Sequence, residues 1–148
     1  MSAEAAVTSP ARYGERTANG AASFACAACG QPAGVVRVTL AESPADIGPP
    51  LGITTSDRDG VIVDEFIGTA WVATGRSVAE AVQALIDAGD VDPAALRDIN
   101  WELAPFYCPD CQLNYCRNHW NTSIVFDESF YDYTMGTCPN GHQYMIDD

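Results

Sequence analysis

Eight residues in this chain have the chemistry of metal coordination: all six cysteines and both histidines. They stand in four pairs, Cys26-x2-Cys29, Cys108-x2-Cys111, Cys116-x2-His119 and Cys138-x3-His142. So short a spacer lets a tight turn present both donors to one ion, with Zn–S bonds of about 2.3 Å. Eight donors make two tetrahedral sets with none left over, so the pattern predicts two structural Zn²⁺ ions per chain. Three groupings fit the spacing. Pairing in chain order gives a four-cysteine site and a Cys2His2 site. A compact site could be closed by Cys108, Cys111, Cys116 and His119 alone. We favour the cross-brace, with Cys26, Cys29, Cys116 and His119 as site 1 and Cys108, Cys111, Cys138 and His142 as site 2, because it staples distant sequence into one core.

Competing chemistries fit the residues less well. Six cysteines could instead form disulfides in 15 ways, but the spacing and the placement of both histidines at pair positions favour metal. The start of the chain has no basic segment followed by an apolar block, so no secretory leader is expected. A redox-active CxxC usually opens a helix after a buried strand; ACAACGQPAG around Cys26 reads as a knuckle. Rubredoxin-like iron would need Cys26, Cys29, Cys108 and Cys111 on one ion. A catalytic zinc keeps an open position for water, whereas counting donors here leaves both ions closed. No HExxH is present, and His119 is followed by Trp120 and Asn121, which breaks the zinc-deaminase pattern. With both histidines committed, none remains as a general base. An enzyme would have to work with Asp64-Glu65 and Asp127-Glu128, or with an open zinc position; solvated surface is the better reading of those acids.

Charge narrows the partners. Twenty acidic residues face seven basic ones over 148 residues, a net charge of −13, and every basic residue is arginine. Six thiolates on two Zn²⁺ would make the protein more acidic still. Such a surface repels phosphate backbones and anionic membranes, and no run of residues is long and apolar enough to span a bilayer. A cytoplasmic protein that binds another protein is the expectation. The lysine-free composition, rich in Ala, Asp and Arg, looks like coding from a GC-rich bacterium.

The elements that must position these donors read as α+β: a small sheet with one or two helices, closed by the two-zinc module. Residues 1–22 are polar and aperiodic and predict a disordered tail, leaving 23–148 as a single domain. Within it, residues 30–107 hold no cysteine or histidine and form an α/β insertion between ligand pairs. Val35 to Leu40 predicts a strand, and AESPADIGPPLG a loop. Val61 to Ile67 and Ala70 to Thr74 predict a hairpin turning near Gly68. Ser77 with Glu80 forms a capping-box pattern for a helix ending at Gly89, and Asp92-Pro93 opens a second, to about Asp98. Trp101, Leu103, Phe106 and Tyr107 predict core.

The run CPDCQLNYCRNHW resembles cross-braced treble-clef fingers of the RING, B-box and stress-associated-protein kind, where an aromatic-Cys-x2-His step follows a cysteine pair, as Tyr115, Cys116 and His119 do here. PFYCPDC, YCRNHW and CPNGH together are similar to bacterial zinc-finger-like proteins. The resemblance implies a metal-binding architecture and not ubiquitin-system chemistry. The aromatics Trp120, Phe126, Phe130, Tyr131, Tyr133 and Tyr144 predict packing around the metal sites. If exposed, Trp120, Phe126, Asp127, Glu128, Phe130, Tyr131 and Tyr133 become a partner face. The expected role is a non-enzymatic adaptor or regulatory protein.

Overall fold

Alternating apolar residues and glycine-marked turns build an antiparallel sheet in the part of the chain before Cys108. The computed structural model describes residues 12–40, 46–47, 53–54, 59–65 and 68–147. The sheet has five strands: β1 (Glu15–Arg16), β2 (Ala22–Ala25), β3 (Pro32–Thr39), β6 (Gly60–Glu65) and β7 (Gly68–Ala73), in the order β1-β2-β3-β6-β7. A short pair, β4 (Asp46–Ile47) with β5 (Ile53–Thr54), stands apart. The rest of the loop expected over 41–52, and the first 11 residues of the expected tail, lie outside the described residues.

Val36, Val61 and Val63 turn one face of the sheet inward, where they meet Val82 and Ile86 of α1 (Arg76–Asp87) and Leu96 of α2 (Pro93–Ile99). The fold is α+β, as the periodicity implies. α1 starts earlier than the capping box suggests: Gly75 is its N-cap, at φ 84°, and makes no side-chain cap. The chain leaves β7 through that left-handed residue, which glycine adopts without strain, and Ser77 falls inside the first turn. α2 follows expectation, with Asp92 accepting from the Ala94 N–H at 3.0 Å.

Part of the segment assigned to a tail is structured. Gly14 bridges Val91, β1 pairs with β2, and the Arg12 guanidinium donates to both Asp92 carboxylate oxygens at 3.2 Å. The Arg12 carbonyl also accepts from Asn114 Nδ2 at 2.9 Å. A polar stretch without periodicity becomes ordered here because its backbone and one arginine find fixed partners.

After a 3₁₀ turn at Trp101–Leu103 come β8 (Tyr107–Cys108) and β9 (Leu113–Asn114), paired with each other. The chain then forms a three-stranded antiparallel ribbon, β10 (Asn121–Asp127), β11 (Phe130–Thr137) and β12 (Gln143–Asp147). A second apolar cluster, of Tyr115, Trp120 and Ile146 with Cys26, Cys108, Cys116 and Cys138, lies at its base.

Phe106 joins the two clusters. Its ring packs 4.8 Å from that of Phe24 in the first, over Gly34, where a Cβ would fall 2.4 Å from the ring. Its carbonyl accepts from Tyr115 N–H and Trp120 Nε1–H, both at 3.0 Å, in the second.

Candidate metal centres

Each donor pair sits on a turn whose backbone aims two side chains inward. In the first, Gly30 N–H donates to the Cys26 carbonyl at 2.8 Å, with Gly30 at φ 78°. In the second, Gln112 N–H donates to the Cys108 carbonyl at 2.7 Å, with Gln112 at φ 58°. In the third, His119 and Trp120 N–H groups both donate to the Cys116 carbonyl. In the fourth, Gly141 N–H donates to the Cys138 carbonyl at 2.9 Å, with Gly141 at φ 89°. The turns are docked on each other. Ala27 N–H donates to the Asn114 carbonyl at 2.8 Å, which sets the first turn on β9 between the second and third.

The donors gather into two clusters, Cys26, Cys29, Cys116 with His119, and Cys108, Cys111, Cys138 with His142. Within each, the donor atoms all lie within 4.8 Å of one another. First pair meets third and second meets fourth, so Cys26 and Cys29 do not share a cluster with Cys108 and Cys111, as chain-order pairing or rubredoxin-like iron would require. Nor do Cys108, Cys111, Cys116 and His119 close on themselves.

The spacing within the clusters tests the fit of an ion. A tetrahedral zinc with bonds of about 2.3 Å to sulfur and about 2.05 Å to nitrogen holds sulfurs about 3.8 Å apart and sulfur from nitrogen about 3.55 Å. Cys29 and Cys116 sulfurs are 3.6 Å apart, and those of Cys111 and Cys138 3.7 Å. His119 Nδ1 lies 3.6 and 3.4 Å from Cys26 and Cys116. His142 Nδ1 lies 3.6, 3.4 and 3.3 Å from Cys108, Cys111 and Cys138. All six cysteines are free thiols. These separations match edges of a zinc tetrahedron in both clusters, and the remaining donor pairs lie within 4.8 Å.

Electrostatics divides the donors. Burial pushes the Cys108 thiol up to about 12, which without a cation opposes its thiolate form. Burial also opposes ionisation of Cys111, but hydrogen bonds from Tyr115, Asn140 and Cys138 outweigh it and hold that thiol at about 7; Asn140 Nδ2 donates to it at 3.1 Å. Backbone N–H groups of Asn140 and His142 point at Cys138 Sγ, both at 3.4 Å. Donors aimed at sulfur favour thiolate, the form that binds a cation. Tyr144 on β12 donates to Asp110 in the second turn at 2.5 Å, and this hydrogen bond pushes its phenol up to about 12.

The expected partner face needs one correction. Trp120 is only 2% exposed: its indole N–H is spent on the Phe106 carbonyl, and its ring meets Tyr115 edge-on in the core. Trp120 and Tyr144 pack in the cysteine-bearing cluster as predicted, but the same prediction is corrected for Phe126, Phe130 and Tyr131. Phe126 is 62% exposed, Phe130 76% and Tyr131 46%. Both faces of the ribbon's outer end meet solvent, so strand pairing rather than core burial fixes these residues. Asp127 and Glu128 are exposed at the same end.

The other acid pair is elsewhere. Asp64 and Glu65 end β6 and line a cleft of about 500 Å³ with Gln31 to Val35, Arg117, Asn118 and Cys116. The two pairs therefore share no site. That cleft was not visible in the sequence, because strand pairing alone brings Asp64 opposite Val35.

Among the described residues no helix is long and apolar enough to cross a membrane. A family model described as a domain of unknown function (DUF8328) matches residues 15–148. No curated protein and no solved structure matches the chain.

Proposed function

We propose that this chain, which belongs to the DUF8328 family, is a zinc-stapled interaction module of the cytoplasm, a non-enzymatic adaptor or regulator that engages another protein. One observation carries the reading: each cluster gathers four protein donors within 4.8 Å of one another, and four such donors on one ion would leave no coordination position for a reacting water. Cys26, Cys29, Cys116 and His119 would hold one Zn²⁺; Cys108, Cys111, Cys138 and His142 would hold the other. The ions supply folding free energy, since the site cannot preform in the unfolded chain. The cross-braced grouping supports a treble-clef-like module. Both histidines of the chain lie in the clusters, which takes the usual acid–base group out of play.

The contact surface in this reading is the outer end of the ribbon: Phe126, Asp127, Glu128, Phe130, Tyr131 and Tyr133. Exposed aromatics are the residues that anchor protein interfaces, and the surrounding negative charge turns away nucleic acid. A photo-crosslinking amino acid placed at Phe130, in cells that make the protein, should capture a protein in covalent complex. The same group at Ala84, exposed on α1, should not. Equal capture at both positions, or none at Phe130, would remove this surface and the adaptor reading with it.

A further inference from the structure

Among the described residues β10 runs along the outside of the ribbon and pairs only with β11, in the order β10-β11-β12. Its other edge is a row of backbone donors and acceptors open to an added strand. Natural edges are commonly blunted by lysine, proline or an inward charge; residues 121–126, NTSIVF, have none of these. Pairing with β11 is regular from Asn121↔Thr137 to Val125↔Tyr133, and the irregularity beyond it places the extra residue on β11, so β10 itself carries no inserted residue. Two residues apart on this strand, Ile124 and Phe126 share one face and are 57% and 62% exposed.

Charge decides what could lie there. From Asn118 to Asp148 the chain carries five carboxylates and neither lysine nor arginine. Asp127, Glu128 and Asp132 are exposed around the ribbon's turn, beside that apolar face. A second copy would bring a like-charged ribbon, on a body of net charge −13, against this one. A cationic chain meets complementary charge instead.

We propose that the open edge of β10 takes an extended, basic segment of a partner protein as a fourth strand, with that segment's apolar side chains on Ile124 and Phe126 and its arginines or lysines beside Asp127, Glu128 and Asp132. This rests on the interaction-module reading and specifies how the module binds. Main-chain hydrogen bonds supply affinity in such strand addition, and alternate side chains supply selectivity. Because the acids lie only at the turn end of β10, the added segment has a preferred direction, with its cationic residues toward that end.

The probe is a short labelled peptide of alternating arginine and valine, titrated into the zinc-loaded full chain and followed by fluorescence anisotropy. Binding should saturate, weaken as salt rises, and fall by about tenfold or more with Ile124→Lys, which replaces an apolar contact by a like charge. Metal content of that variant reports its folding, since Ile124 lies outside both clusters. Asp127→Asn and Glu128→Gln should flatten the salt dependence. The same peptide methylated at its backbone nitrogens keeps its charge but cannot donate hydrogen bonds, and should bind at least about tenfold more weakly.

Equal affinity for the methylated peptide, or indifference to Ile124→Lys, overturns strand addition. So does absence of peptide binding, and so does light scattering that shows a dimer dissolved by Ile124→Lys, which would give the edge to a second copy. The outcomes separate the two readings. Crosslinking at Phe130 that persists while the peptide fails removes the strand-addition inference alone; loss of both removes the module as well.

Discussion

Cys108→Ser should yield protein with one zinc instead of two and with a melting temperature lowered by about 8–16 °C, if only about 4 kcal/mol is lost. Cys108 is fully buried at the end of β8, its sulfur 3.6 Å from His142 Nδ1. It also receives the Cys111 N–H at 3.5 Å. Serine offers no thiolate, so one vertex of the tetrahedron is lost and a hydroxyl is left in an apolar pocket, at about 1–3 kcal/mol. The larger part of the effect is the metal. Structural zinc contributes about 10–16 kcal/mol of apparent binding free energy in small modules near neutral pH, while a whole domain has a net stability of about 5–15 kcal/mol. Even partial loss is therefore severe. Cys29→Ser is the control: it removes a donor from the other cluster at an exposed position, so the excess in Cys108→Ser measures burial. Native mass spectrometry gives the stoichiometry and calorimetry the melting shift. Two retained ions with unchanged melting would show that Cys108 is not a ligand.

Phe106→Ala should cost about 3–5 kcal/mol, the range for deleting a buried aromatic ring, without changing the number of bound ions in the folded protein. The ring fills the space that Gly34 leaves, stacks at a tilt of 37° on Phe24, and belongs to the sheet's apolar cluster and not to the one that holds the cysteines. Its carbonyl, which holds Tyr115 and Trp120, is main chain and survives the substitution. The stabilisation removed is thus apolar packing between the sheet and the metal-bearing region. Urea unfolding followed by tryptophan fluorescence should show the midpoint fall while the transition stays single. A change below about 1 kcal/mol would mean that the two clusters are held together chiefly by metal.

These expectations trace how much of the molecule the chain itself declares. The donors were legible because coordination restricts residue type and spacing at once: few reasons other than a shared ion place cysteine and histidine at two- and three-residue intervals. The hairpin at Gly68 and the helix opening at Asp92-Pro93 were legible through local backbone preferences. The ribbon was less so. Its turn uses Glu128 and Ser129 at φ 49° and 76°, where Asn-Gly would have advertised a hairpin. The flanking runs TSIVF and FYDYT, rich in β-branched and aromatic residues, were the available signal. Exposure of Phe126 and Phe130 could not be read from residue type, since the same aromatics would serve a core equally well. Nor could the order of Arg12 to Arg16, which depends on Asp92 and Asn114, about 80 and 102 positions away.

The grouping of the donors was decided by the fold. Spacing alone allowed three arrangements; the docking of Ala27 on Asn114 brings the first turn to the third and leaves the second for the fourth. Cys26 and Cys29 are thereby tied to residues some 90 positions later, across the whole α/β segment. In the proposed reading the zinc ions are thus long-range staples, and the ribbon held above them is free to offer its edge.

X-ray absorption at the zinc edge, on protein purified without added metal and paired with elemental analysis, addresses the account most directly. It predicts two zinc ions per chain and an average shell of three sulfurs at about 2.3 Å and one nitrogen at about 2.0–2.1 Å. No metal, sulfurs bonded to one another, or a shell with fewer sulfurs and a water oxygen would contradict it.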